Sequence, residues 1–186
     1  MVLMGLAAGA LGAGFMWYLL GGKSEPIRTS TPTKVVAPEA PPSVAHLTPA
    51  DAAVTLGNWQ YDRQRWVQAI EQYQEALKLG KDNADVRTDL GNCFRFVGQP
   101  HKALEQYQIS QRMNPQHENS LFNEAALYGQ ELNQIPRAQE LLNKYLQKFP
   151  NSQGVARAQQ LLAELSAKEK ASTEEATKAL QQIIGK

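Results

Sequence analysis

The 186-residue sequence has very little cysteine and no excess of charge of either sign. Cys93 is the single cysteine, so no disulfide can form within the chain. Lys and Arg number 19 against 18 Asp and Glu, which gives a net charge of +1. A protein that binds nucleic acid usually shows a basic patch. The sequence therefore predicts no nucleic acid partner.

Motifs of catalytic and cofactor sites are also missing. His46, His101 and His117 are not spaced with Cys, Asp or Glu as metal ligands are. The chain has no phosphate-binding glycine loop, no dinucleotide fingerprint, no nucleophile elbow and no C-x-x-C-H haem attachment sequence. We therefore predict a protein that is not an enzyme and holds no cofactor and no metal.

Residues 1–22 contain no charged side chain and form the one long apolar run of the sequence. Because a helix rises about 1.5 Å per residue, roughly 20 residues cross about 30 Å of hydrocarbon. We predict a transmembrane anchor surrounded by lipid, with Trp17 and Tyr18 at the interface. The competing interpretation is a cleaved signal peptide, but its basic n-region is missing.

Small residues follow one face of this predicted span. Gly5 and Gly9 form a G-x-x-x-G pair, and Gly12 repeats the spacing from Ala8. Such a face lets another membrane helix approach closely, although glycine and alanine are also common in spans for other reasons.

The side of the membrane is left open by the flanking sequence. The basic residues Lys23, Arg28 and Lys34 favour a cytoplasmic soluble part. A proline-rich tether before a small domain is instead a common layout on the outer side of bacterial membranes. The expected location is the bacterial plasma membrane, crossed once.

Residues 23–49, which hold most of the ten prolines and no aromatic residue, are predicted to be an extended tether that a partner could order.

A repeat begins after the tether. Leu56-Gly57-Asn58 recurs 34 residues later as Leu90-Gly91-Asn92. The same spacing, or 35 later in the chain, relates Ala69, Ala103 and Ala138, then Tyr73 and Tyr107, then Pro115 and Pro150. This pattern resembles the tetratricopeptide repeat family. The resemblance implies an all-α, right-handed solenoid of helix pairs over residues 50–83, 84–118 and 119–152, with a capping helix over 153–168.

The resemblance also implies a binding surface on the concave wall, formed by the first helix of each pair. The expected partner-binding residues are Asn58, Tyr61, Asp62, Thr88, Asn92, Arg95, Phe96, Asn123 and Gln130. Asn58 and Asn92 resemble asparagines that hold a peptide backbone in chaperone-binding members. The basic residues of a carboxylate clamp are not matched, because Val54 and Leu127 stand at those positions.

Two hypotheses of function follow. The first is a structural or assembly subunit of a membrane protein complex, which contacts other subunits through the span and the groove. The second is an adaptor or cochaperone that captures client peptides in the groove.

Residues 169–186 are predicted to form a linker and a short amphipathic helix. Ser172 and Glu175 have the spacing of a capping box, and Ala176, Leu180 and Ile183 follow at helical spacing. Such a helix is marginal alone in water, so we expect it to dock on its own repeats, a partner, another copy or a membrane surface.

Overall fold

The computed structural model describes residues 40–185. The predicted anchor and residues 23–39 of the predicted tether lie outside the described residues. Within this range, seven helices follow one another: α1 (Pro49–Asp62), α2 (Trp66–Lys78), α3 (Ala84–Phe96), α4 (Pro100–Met113), α5 (Glu118–Gln130), α6 (Ile135–Lys148) and α7 (Val155–Ile184). None of the helices in residues 40–185 has the length and apolarity that a membrane span requires.

The helices stack as successive pairs along the chain. α1 pairs with α2, α3 with α4 and α5 with α6, and each pair packs on the next through its second helix. α3 also contacts α5 directly, and α5 contacts α7. The predicted all-helical solenoid is therefore confirmed for the described chain. The direct contacts place the first helices of the pairs on the inner side of the stack.

Helix starts and stops follow local chemistry. The Thr48 hydroxyl accepts a hydrogen bond from the amide of Asp51 at 3.1 Å and caps α1. The Asn83 side chain caps α3 in the same way. Pro100 opens α4, where its missing N–H costs nothing. Pro115 and Pro150 come two residues after α4 and α6 end, as expected from a residue that cannot continue a helix.

The turn inside each helix pair requires a left-handed backbone. Gln64, Gly98 and Asn133 occupy equivalent positions, and their φ angles are 57°, 72° and 52°. Glycine adopts this conformation freely, whereas other residues lose roughly 1–2 kcal/mol. Gly98 is thus the residue that suits the turn best, and Gln64 is the one that suits it least.

The C-terminal region differs from its prediction. α7 is one continuous helix of 30 residues, so the predicted linker after residue 168 and the Ser172 capping box are wrong. Residues 166–171 contain neither Gly nor Pro, and extending a helix is easier than nucleating a second one.

The two halves of α7 have different surroundings. Leu161 and Leu165 are buried, and a Cβ at Gly129 would lie 2.6 Å from the Leu165 side chain. This half covers α5 and α6, as a capping helix does. Gln139 of α6 bonds Ser166 and Glu169 of α7. Residues 170–185 are exposed along their whole length.

Candidate partner-binding groove

In the first helix pair, a tyrosine of the outer helix orients an asparagine of the inner wall. In the first pair, the Tyr73 ring lies against Gly57, where a Cβ would stand 2.7 Å from a ring carbon. The Tyr73 hydroxyl reaches past the glycine and donates to Oδ1 of Asn58 at 2.8 Å. Asn58 remains exposed on α1. The Gly-Asn dipeptide and the tyrosine thus form one unit, with the amide oriented by the helix behind it.

The second pair repeats this unit and extends it. Tyr107 packs on Gly91 and donates to Oδ1 of Asn92 at 2.9 Å. The same oxygen accepts from Nδ2 of Asn123 on α5 at 2.8 Å. Asn92 therefore joins the inner helices of the second and third pairs, α3 and α5.

The third pair has no such unit. Ala126, Leu127 and Leu142 replace the glycine, asparagine and tyrosine, and Leu127 and Leu142 are 0% exposed. Leu127 was placed on the wall by the repeat register, but it belongs to the core between the pairs. The polar wall in the third pair consists of Asn123 and Gln130 instead.

Arg95 is occupied within the wall. Its Nε donates to Glu131, and one terminal nitrogen donates to Oε1 of Gln130 at 2.9 Å. This ion pair neutralises the one arginine among the predicted partner-binding residues. A carboxylate clamp centred on Arg95 would have to break the contact with Glu131.

Thr88 does not line the groove. It is 3% exposed, and its hydroxyl donates to the Ala84 carbonyl at 2.8 Å and lies 2.9 Å from the Ser110 hydroxyl. The expectation that it contacts a partner is therefore wrong. His117 covers this position, because it caps α5 and lies 2.9 Å from Asp85 of α3.

Ser110, His117 and Asp85 lie next to one another as serine, histidine and aspartate do in a hydrolase triad. The Ser110 hydroxyl lies 3.4 Å from Nδ1 of His117, and Nε2 lies 2.9 Å from Asp85. Ser110 is 0% exposed, however, and its hydroxyl donates to the Ala84 carbonyl. No substrate can reach it, so these residues tie α3, α4 and α5 together. No group of three metal-ligating side chains occurs within residues 40–185.

Asp89 is the most perturbed carboxyl group of the wall. Burial, with repulsion from Asp85, raises its pKa to about 6, and the attraction of His117 offsets only part of this. Asp89 forms no hydrogen bond or ion pair with another residue in the described chain. Burial also raises the pKa of both tyrosine hydroxyls, Tyr73 and Tyr107, so they stay protonated donors. Asp89 was not among the predicted wall residues.

An aromatic cluster lies where α1 and α3 end. Trp66 stacks on Phe96 with ring centroids 4.3 Å apart, and Tyr61 meets both rings edge-on at 5.1 and 6.4 Å. Phe96 is 53% exposed. The cluster brings two of the predicted wall residues, Tyr61 and Phe96, together with Trp66 of α2.

Sequence reasoning also missed Arg157 of α7. Its guanidinium lies 4.3 Å from the centre of the Phe122 ring on α5. Open clefts flank it on the two sides, one bounded by Asn119 and Asn123 and the other by Gln130. The signal was hidden because Arg157 precedes the buried positions of what looks like a plain capping helix.

Comparison with known proteins supports a repeat in the sequence and the helical fold. Residues 57–94 match the family model described as TPR repeat. No curated protein matches the chain in sequence. Three of the similar solved structures illustrate the likeness. The TPR2B domain of yeast Sti1 in a complex with pHsp70 has 16% identity and a TM-score of 0.61, over 64% of this chain and 98% of that one.

The type III secretion translocator chaperone SycD of Yersinia enterocolitica has 18% identity and a TM-score of 0.60, over 64% and 93%. The second TPR domain of human RPAP3, in complex with the HSP70 peptide SGPTIEEVD, has 14% identity and a TM-score of 0.56, over 63% and 95%. At such identities the likeness concerns the fold. The chain thus carries a tetratricopeptide repeat at residues 57–94, within a helical solenoid of the tetratricopeptide-repeat fold.

Proposed function

We propose that this chain is a protein–protein interaction scaffold whose inner wall, on α1, α3 and α5, holds a segment of a partner protein. One observation carries the proposal: the hydrogen-bonded row that runs from Tyr107 through Asn92 to Asn123. Side chains fixed in this way form a pre-organised polar surface, and pre-organisation reduces the entropy lost on binding. The curved wall suits an extended segment or a helix.

We further propose that the scaffold is an assembly subunit of a membrane protein complex. The support is in the sequence: an uncharged stretch of 22 residues with Gly5, Gly9 and Gly12 on one face, then a proline-rich tether. Such a tether would let the repeats reach a partner at a distance from the bilayer.

A second candidate is an adaptor that captures and releases client peptides. It is favoured by the two tyrosine-held asparagines, Asn58 and Asn92, at neighbouring positions of the wall. The similar domains of Sti1 and RPAP3 are complexes with pHsp70 and an HSP70 peptide. An assembly subunit keeps one partner at fixed stoichiometry through purification, whereas an adaptor yields several partners at low stoichiometry.

The test is purification of the tagged full chain from its natural membrane in mild detergent, with mass spectrometry of the co-purifying proteins. The groove variant combines Asn58→Ala with Gln130→Ala, because both side chains are exposed on the wall. The control combines Gln68→Ala with Glu140→Gln, exposed residues of α2 and α6. We expect the partner to be lost from the groove variant and kept by the control.

Equal recovery of the partner with both variants would show that the wall does not hold it. Native gel electrophoresis of the same membranes tests the complex itself. We expect migration far above the 20.6 kDa of the chain. Migration only as a free monomer would contradict the assembly role and leave the adaptor candidate in place.

A further inference from the structure

Phe96 presents a supported aromatic ring to solvent. Its ring is 53% exposed, while Trp66 stacks behind it at 4.3 Å and Tyr61 holds it from the edge. Large aromatic side chains that are rigid before binding are typical anchors of protein interfaces.

Carboxylates lie near this ring: after burial, the negative charges of Asp89 and Asp62 raise the pKa of the Tyr61 hydroxyl. The repeat spacing puts Asp62 and Glu131 at the positions equivalent to Phe96 in the neighbouring pairs. Asp62 is exposed and forms no ion pair within the described residues. Glu131 pairs with Arg95, so these two charges cancel. Asp62 and Phe96 also end their helices, where unsatisfied carbonyl groups add negative potential.

The two arginines that follow Asp62 lie against another ring. The guanidinium groups of Arg63 and Arg65 lie 4.3 and 5.4 Å from the centre of the Trp59 ring. NH1 of Arg63 also donates to the Trp59 carbonyl at 3.1 Å. The aromatic surface therefore combines an apolar anchor with carboxylates.

We propose that Tyr61, Asp62, Trp66 and Phe96 form a docking surface for a basic partner segment, in which Lys or Arg residues flank an apolar side chain. The apolar side chain lies on Phe96 and Trp66, and a flanking cation meets Asp62 and the aromatic faces. This proposal rests on the proposed function, and it specifies the charge of the segment that the wall receives.

The experiment measures binding of two fluorescent peptides to the full chain in mild non-ionic detergent. The probes are GKLKFKLKG and its acidic twin GELEFELEG, which has the same apolar residues. We expect the basic peptide to bind at least about tenfold more tightly at 0.15 M salt, since charge complementarity suppresses the wrong partner.

Two variants and two matched controls locate the site. Phe96→Ala is expected to weaken the basic peptide about fivefold or more, and Asp62→Asn about threefold. Met113→Ala removes another exposed apolar side chain, and Glu105→Gln removes another exposed carboxylate, so neither should change the affinity.

The proposal is overturned if the acidic peptide binds as tightly, if neither peptide binds, or if Phe96→Ala has no more effect than Met113→Ala. These failures do not decide the proposed function. Partner retention in the co-purification experiment depends on Asn58 and Gln130, and it stays informative when both peptides fail.

Discussion

Tyr107 and Asn92 are joined by a hydrogen bond of 2.9 Å that crosses from the outer helix α4 to the inner helix α3. The tyrosine reaches Asn92 because Gly91 leaves room for its ring; a Cβ at position 91 would lie 2.6 Å from a ring carbon. The packing of the second pair and the orientation of a groove residue therefore depend on the same glycine.

Gly91→Ala is expected to lower the free energy of unfolding by about 1–3 kcal/mol, because a fully buried ring cannot move away. The third pair carries Ala126 with Leu142 instead, so Gly91→Ala combined with Tyr107→Leu should recover part of this loss. Thermal unfolding followed by circular dichroism measures both variants and Tyr107→Leu alone. Additive losses, with no coupling of at least about 0.5 kcal/mol, would show that glycine and tyrosine do not depend on each other.

Gln64→Gly is expected to stabilise the chain by up to about 1 kcal/mol, because Gln64 has a φ of 57° that glycine adopts without strain. The opposite change, Gly98→Ala at the equivalent turn, should destabilise by about the same amount. Chemical denaturation gives both values. Gln68→Gly, inside α2, is the control and should lower stability by about 0.5–1 kcal/mol. Destabilisation by Gln64→Gly would contradict the turn assignment.

Asp89→Asn is expected to raise stability at pH 7 and to lose this benefit near pH 4. Burial raises the pKa of Asp89 to about 6, so the folded chain keeps a proton that the unfolded chain has released. Stability therefore falls as the pH rises from about 4 to about 6, and it stays lower above that range.

The expected gain at pH 7 is about 1–2 kcal/mol, since each pKa unit is worth about 1.4 kcal/mol and partial exposure reduces the effect. Unfolding curves at pH 4, 5, 6 and 7 measure it. Asp62→Asn, at an exposed site, should change stability by less than about 0.5 kcal/mol throughout. A gain from Asp89→Asn that is the same at pH 4 and pH 7 would rule out titration of Asp89 as its cause.

Leu165→Ala is expected to cost about 2–4 kcal/mol, because Leu165 is 4% exposed and fills the space beside Gly129. Ile183→Ala, on the same helix but 74% exposed, should change stability by less than about 0.5 kcal/mol. Hydrogen exchange should show protected amides around Leu161 and rapid exchange after Ala171. Strong protection of residues 172–184 would mean that this segment docks on something in the chain.

The repeat fold could be predicted from the sequence because the residues that pack each helix pair recur at a constant spacing. Gly57, Gly91, Tyr73 and Tyr107 recur at fixed register, and each has one packing role in a helix pair. The continuity of α7 was not predicted, because the polar stretch at residues 166–171 interrupts the apolar spacing although it contains no helix-breaking residue. Only neighbouring helices decide where burial ends.

The wall was predicted less completely than the fold. Thr88 has the right register, but Ser110 and His117 bury it through contacts that span 22 and 29 residues. Asp89 and Arg157 were missed because their environments come from other helices. Register gives the face of a helix, whereas exposure and charge pairing depend on contacts that are distant in sequence.

Site-specific photo-crosslinking in the source cells tests the scaffold account most directly. A photoreactive amino acid is placed at Asn58 or Gln130 on the inner helices, and at Gln68, Glu105 or Glu140 on the outer helices. We predict a crosslinked partner from the inner positions and none from the outer ones. Crosslinks that form only from the outer positions would contradict the claim that the concave wall is the binding surface.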